Sequence, residues 1–328
     1  MNRMLQRAGW WIGVLMAFAS GAQASYLQHP EAKAWMDTLV SQGIEKTEVE
    51  KVLSVAKKQQ SILDAMSRPA EKRLDWGGYR KIFMTKKRIS RGVTFWQQNA
   101  AALQKAEATY GVPAEVIVSI IGVETHYGRI MGNYRAVDAL ATLGFDYPRR
   151  GEFFRGQLKD LMTVAAQEGK AIDSFKSSYA GAMGYGQFIP SSFLAYAIDF
   201  DGDGKRDMWR NTTDAIGSVA NYFKQHGWAS GEPVVLPVTV PRGEPTDINT
   251  GLKPSRALAH WLAEGVVIEQ SEIANDPAVL LAMRSGEKTD YYLGFNNYYV
   301  ITRYNRSRLY AMAVHELSQA VAHAYRGG

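Results

Sequence analysis

The chain contains no cysteine, which removes disulfide frameworks, thiolate metal sites and cysteine lipidation from consideration. It has no apolar run of the roughly 20 residues that a membrane-spanning helix needs. No Lys/Arg block is present, which leaves nucleic acid a poor candidate partner. The six histidines are scattered without an HExxH pair, and there is no GxSxG, no GK followed by Ser or Thr and no dinucleotide fingerprint. Zinc hydrolysis, serine hydrolysis and nucleotide binding therefore have no marked site. Internal repeats and low-complexity tracts are absent as well.

What is present begins with an export signal. Arg3 and Arg7 precede an apolar run from Ala8 to Ala19, and Ala22, Gln23 and Ala24 form the small-residue pattern of a signal-peptidase site. Residues 1–24 are expected to be a signal peptide cleaved before Ser25. Cleavage takes two arginines and no acid from a chain of 38 basic and 32 acidic residues, leaving a net charge of +4. That mild excess suits an anionic polymer. Export without a lipidated cysteine gives a soluble protein of the bacterial periplasm as the expectation.

With 46% hydrophobic residues the 328-residue chain can bury a sizeable core. Residues 29–111 read as helical, with segments such as EAKAWMDTLVSQG and a long helix over 86–111, both closed by glycine. Residues 112–228 are richer in glycine. The stretch 232-EPVVLPVTVP-241 reads as a strand, and helical pattern returns at 307–325. The expected division is a helical domain at 25–110, an active core at 111–228, a small β-containing domain at 229–293 and a C-terminal return to the core at 294–328. The fold class is mainly α (α+β).

The chemistry starts at 119-SIIGVETHYGR-129. Pro113 is placed to open the helix that reaches Glu124. At 100° per residue Ile117, Ile120, Ile121 and Glu124 share a narrow sector, so the carboxylate extends the apolar stripe. Burial and the negative end of the helix dipole both disfavour its ionised form, which is how a general acid is made. A structural glutamate paired with Arg129 or Arg135 fits the spacing equally well. Downstream, 177-SSYAGAMGYGQFIPSSF-193 combines Gly181, Gly184 and Gly186 with Tyr179, Tyr185 and Phe188 and with the polar groups of Ser178 and Gln187. Aromatics beside amides suit sugar rings; tight packing of a buried loop is the alternative.

The run 199-DFDGDGKRDMWRNTTD-214 sets Asp199, Asp201 and Asp203 at alternate positions before Gly204, the opening of an EF-hand calcium loop in which Lys205 offers its backbone carbonyl. Arg210 stands where the bidentate glutamate belongs, so Asp214, or failing it Asp207, is the candidate closing ligand.

Together SIIGVETHYGR, DALATLGFDYPRR, SYAGAMGYGQFIPSSF, DAIGSVANYFKQHGW and YYVITRYNRS resemble the B-type lytic transglycosylases, glycoside hydrolase family 103. The resemblance implies a lysozyme-like catalytic core flanked by a helical domain and a small β domain. It implies cleavage of peptidoglycan glycan strands between N-acetylmuramic acid and N-acetylglucosamine, with Glu124 as the single catalytic acid/base. By the same resemblance Ser178 and Gln187 orient the muramoyl N-acetyl group and the glutamate. Tyr222, Tyr299 and Tyr79 line the cleft, and Arg149 and Arg150 suit the muramoyl carboxylate or peptide stem. A longer calcium loop closed by a later aspartate is implied too. The expected cofactor is thus a structural calcium ion, with no organic cofactor. Cell-wall synthesis enzymes are further candidate partners, and stable membrane insertion after signal cleavage is not expected. A hydrolytic muramidase and a non-catalytic peptidoglycan-binding scaffold are the alternatives.

Overall fold

A computed structural model describes residues 25–67, 74–241, 243–269 and 276–328; the signal peptide expected at 1–24 lies outside the described residues. The chain runs through helices α1 (Pro30–Ser41), α2 (Lys46–Val55), α3 (Gln60–Ser67), α4 (Trp76–Phe83), α5 (Lys86–Gln98) and α6 (Ala100–Tyr110) to α7 (Ala114–Thr125). A short strand β1 (Tyr134–Arg135) precedes α8 (Ala136–Phe145) and α9 (Gly151–Gln167), and its partner β2 (Lys176–Ser177) precedes α10 (Pro190–Tyr196) and α11 (Thr212–Gln225). Strand β3 (Val235–Val238), helix α12 (Leu258–Ala263), strands β4 (Val279–Ser285) and β5 (Lys288–Gly294), and helices α13 (Asn296–Tyr304) and α14 (Arg308–Tyr325) complete it.

The helix expected over 86–111 is broken at Asn99, whose Nδ2 donates to the carbonyl of Phe95 and whose Oδ1 accepts from Thr212 Oγ1 at 2.6 Å. A side chain that bonds its own backbone competes with helix continuation. The expected strand at 232–241 is shorter, Val235–Val238. It lies at the edge of an antiparallel sheet ordered β3-β5-β4, the position that tolerates Pro237. A two-residue turn at positive-φ Gly286 joins β4 to β5.

The residues expected to form one helical domain at 25–110 divide between two cores. Leu39, Leu53 and Ile62 of α1–α3 pack with Leu140, Leu158 and Phe193 of α8–α10. Trp76, Phe95 and Leu103 of α4–α6 instead pack with Ile120, Phe223 and Leu317. Helical periodicity states which face of a helix is apolar but not which helix covers it. A third, smaller core of Leu236, Trp261, Leu280 and Leu293 belongs to the sheet. Strand β4 buries both faces, sending Val279, Leu281 and Met283 to the main core and Leu280 to the small one. The sheet is thereby fastened beside α7 and α14, the two helices that build the site.

Candidate active site

Ile117, Ile120 and Ile121 are fully buried, so the stripe that carries Glu124 faces the main core. Glu124 lies in the last turn of α7, with part of its surface open. Its Oε1 accepts a hydrogen bond of 2.5 Å from the hydroxyl of Tyr310, a buried residue in the first turn of α14. Ser307 caps that turn by accepting the Tyr310 N–H on Oγ. Burial pushes the Glu124 carboxyl up to about 7, against a smaller lowering by the Tyr310 bond. The ion-pair alternative does not hold: Arg135 is spent on Asp138 at 2.6 and 2.8 Å, and the partner of Glu124 is a neutral phenol. Burial, then the field of Glu124, raises the pKa of Tyr79 and of buried Tyr304 as well.

The chain leaves α7 through three consecutive residues with positive φ, His126, Tyr127 and Gly128. For the two non-glycine residues this conformation costs about 1–2 kcal/mol each. The turn is held by fit: the ring of Tyr127 lies against Gly122, where a Cβ would approach it to 2.6 Å, and the ring of Tyr185 fills the space a Cβ on Gly128 would need. Thr125, buried next to Glu124, ties the turn together. Its Oγ1 accepts the Gly128 N–H at 2.9 Å and lies 3.0 and 3.1 Å from the carbonyls of Ile121 and Tyr185. Thr125→Val keeps the shape but strands these groups, so it should destabilise the protein by about 1–3 kcal/mol. Thermal unfolding should show the loss, and Thr125→Ser should recover most of it.

The loop 178–188 faces this turn. Ser178 Oγ accepts from the N–H groups of Ala182 and Ala180 at 3.1 and 3.4 Å. Gln187 has a φ of 51°, and its Nε2 donates to the carbonyls of Gly184 at 3.0 Å and Met131 at 3.3 Å. The side-chain nitrogen is thus committed to the loop, and Oε1 remains as an acceptor. Tyr304 anchors the loop by donating to the carbonyl of Gly186 at 2.6 Å. Of the aromatics in this stretch, Tyr179 is exposed, whereas Phe188 is buried.

Tyr79 is half-buried and lines a cleft of about 790 Å³ with Asn249, Arg284, Arg306 and Leu309. Of the other expected contributors, Tyr222 needs correction. Tyr222 does not line a cleft: it is 7% exposed, stacked on His226 at 4.0 Å, and its hydroxyl donates to the carbonyl of Arg303. Its ring also packs against Phe188, Tyr196 and Tyr304, so it is core. Arg149 and Arg150 are exposed at the start of α9, where Arg150 lies over Phe153 at 4.3 Å, with no contact to Glu124 or its partners. Tyr299 is half-buried beside Arg303, whose guanidinium lies 6.0 Å from its ring centre, and its helix reaches the site through Tyr304. Sequence reasoning missed Tyr304, Tyr310 and Thr125. The first two sit in ordinary apolar helical patterns, and only the position of Thr125 next to Glu124 offered a signal.

In the acidic loop, carboxylate oxygens of Asp199, Asp201 and Asp203 lie within 4.8 Å of one another. Gly202 and Gly204 take the positive φ that curls the loop, and both donate to Asp199. Asp203 Oδ1 accepts the Lys205 N–H. Asp214 departs from its expected place among the ligands. It is fully buried, and its two oxygens accept the N–H groups of Phe200 and Asp207, each at 2.8 Å. It braces the loop from α11 and stands outside the carboxylate group. Asp207 accepts from Trp209 and Arg210 and is likewise outside it.

A model of the transglycosylase SLT domain matches residues 28–319. Over 307 residues the chain is 42% identical to membrane-bound lytic murein transglycosylase B of Escherichia coli, covering 90% of this chain and 84% of the relative. The crystal structure of soluble lytic transglycosylase SltB1 from Pseudomonas aeruginosa superimposes with a TM-score of 0.85 at 45% identity, covering 91% of this chain and 100% of that one. The Escherichia coli lytic transglycosylase Slt35, solved in complex with calcium, gives 0.82 at 43% identity, with coverage of 92% and 95%.

Proposed function

The chain belongs to the lytic murein transglycosylases of the SLT-domain family, and from that premise we propose that Glu124 alone serves as acid and then as base. The protein is a peptidoglycan lytic transglycosylase with a lysozyme-like core. It cleaves the β-1,4 bond between N-acetylmuramic acid and N-acetylglucosamine and leaves 1,6-anhydro-muramoyl ends. The observation that carries the assignment of Glu124 is its pKa of about 7 beside a neutral hydrogen-bond donor. A carboxyl so poised is protonated often enough at neutral pH to give its proton to the leaving glycosidic oxygen. Tyr310 occupies Oε1, which leaves Oε2 for that transfer.

As the bond to the anomeric carbon breaks, the muramoyl N-acetyl oxygen stabilises that carbon, with Gln187 and Ser178 orienting the group. The carboxylate of Glu124 then takes the proton of the C6 hydroxyl while O6 bonds to C1, closing the anhydro ring. No water is consumed. Hydrolysis with two flanking carboxylates is the alternative, but burial and the Tyr310 bond are the influences acting on Glu124, and no second carboxylate is among them. Mass spectrometry of muropeptides released from purified sacculi tests the reading. Anhydro ends are expected; reducing muramic acid ends would make the enzyme a muramidase, and no release would make it a scaffold.

Asp199, Asp201 and Asp203 fit a calcium ion, because three hard carboxylate oxygens held this close repel one another until a cation joins them. Its role is structural, since the loop shares no residue with the catalytic helix. Chelator-treated protein should therefore gain several degrees of melting temperature on calcium addition. Asp203→Ala should lose the gain; an unchanged melting curve in both proteins would refute the site. Among the described residues no single helix is long and apolar enough to cross a membrane. With the export signal at 1–24, a periplasmic location follows as part of the proposal, tested by release on osmotic shock.

A further inference from the structure

Between Trp76 and Ala106 the chain carries seven basic residues and no acidic one. Lys86, Lys87 and Arg88 fill the first turn of α5, which holds no acidic residue. Cations there oppose the helix dipole and cost stability, so their placement has no explanation in the helix itself. They gather at the exit of the catalytic helix. Arg88 donates to the carbonyl of Gly122, Arg91 bonds His126, and Arg129 is exposed three residues further on. Burial and then the fields of Arg88, Arg91, Arg129 and Lys87 lower the pKa of His126, which places the four cations around one imidazole.

The cluster lies one aromatic ring away from the cleft lining. Arg88 lies over the ring of Phe83 at 5.1 Å, and Phe83 packs at 5.2 Å on Tyr79, a wall of the cleft. Arg80 nearby is paired with Glu316. By contrast, among the described residues none of Lys86, Lys87, Arg88, Arg91 and Arg129 takes part in an ion pair. Several unpaired cations converging on one imidazole lack an anion.

We infer that Lys87, Arg88, Arg91 and Arg129 form a basic rim that binds the carboxylates of the peptide stems carried by the glycan strand in the cleft. The inference rests on the reading of Glu124 as the acid of a peptidoglycan enzyme. Where a stem is attached, the muramoyl lactyl carboxyl is tied up in its amide, so the glycan backbone there carries no charge and the stem brings the carboxylates. Arg88 and Arg91 are half-buried, which suits a point anion in a recess better than a flat lipid surface. Guanidinium groups also match carboxylates through paired donors.

The test compares wild type with Lys87→Gln/Arg129→Gln, whose side chains are exposed and make no described hydrogen bond, and with Arg129→Glu as a second variant. Each cleaves two substrates from one preparation, peptide-bearing strands and the same strands with their stem carboxylates converted to neutral amides. On peptide-bearing strands KM should rise about fivefold to tenfold in the double variant, the scale of two exposed charge contacts. The rise on amidated strands should be several-fold smaller, and salt should weaken wild-type binding more than variant binding. Equal KM changes on both substrates, or none, would overturn the rim assignment. So would an unchanged KM ratio with loss of sedimentation on phosphatidylglycerol vesicles, which would mark a membrane contact instead. A wild type that cleaves neither substrate would overturn the catalytic reading and the rim together.

Discussion

Glu124→Gln should lower turnover on sacculi by at least 10²–10⁴-fold, the range typical of general acid–base catalysis, while leaving a folded protein. The substitution keeps size and hydrogen-bonding reach but removes both the proton given to the glycosidic oxygen and the base that collects the C6 hydroxyl proton. Its stability should carry a pH signature. The Glu124 carboxyl has a folded pKa of about 7 against an ordinary value of 4.5, so between these values the folded state keeps a proton that the unfolded chain has released. Wild-type stability therefore falls as pH rises from about 4.5 to about 7 and stays lower above it. At 1.36 kcal/mol for each unit of pKa, the deficit is about 3 kcal/mol. Glu124→Gln should abolish it, melting several degrees above wild type at pH 8 and level with it near pH 4. Wild-type turnover should also decline as pH rises through about 7, where the acid is lost. Paired melting curves and pH–rate profiles check all of this. A variant that still made anhydro-muropeptides at the wild-type rate would refute the assignment.

Gly132→Ala should be the most damaging small substitution near the site. Gly132 has a φ of 88°, and a Cβ there would run into the backbone carbonyl of Ser177 and the nitrogen of Ser178. Both are main-chain atoms at the β1–β2 pairing, Tyr134 to Ser177, so neither can swing aside as a side-chain tip could. The positive φ costs about 1–2 kcal/mol, and the overlap adds about 1–3 kcal/mol. The total of about 2–5 kcal/mol corresponds to a melting decrease of roughly 4–20 °C at about 2–4 °C per kcal/mol. Turnover should fall with it, because relief of the clash moves Ser178. Gly169→Ala is the control: its φ is 60°, but nothing lies within 4 Å of the added carbon, so only the backbone cost remains. Equal melting decreases in the two variants would show that the contact with Ser177 does not matter.

Local features read well from the sequence wherever a residue's nearest neighbours along the chain decide them. The stripe of Ile117, Ile120 and Ile121 placed Glu124 facing inward, because helical spacing alone sets which side chains share a face. The alternating aspartates before Gly204 marked a loop whose carboxylates converge, because the bonds that curl it, from Gly202 and Gly204 to Asp199, run within five residues. The quoted motifs also indicated a lytic transglycosylase family, which the comparisons show.

The sequence by itself thus determined the family, the helical class and the carboxylate on its apolar stripe. Tertiary structure alone decided what surrounds that carboxylate. Tyr310 reaches it from 186 positions away along the chain, and nothing in SRLYAMAVHELSQAV distinguishes that tyrosine from any other on a helix face. The same holds for Tyr222, turned from a wall residue into core, for Asp214, turned from a ligand into a brace, and for the helices of 25–110, divided between two cores. Periodicity specifies which side of an element seeks cover, whereas the covering partner is selected only when every apolar face in the chain is buried at once.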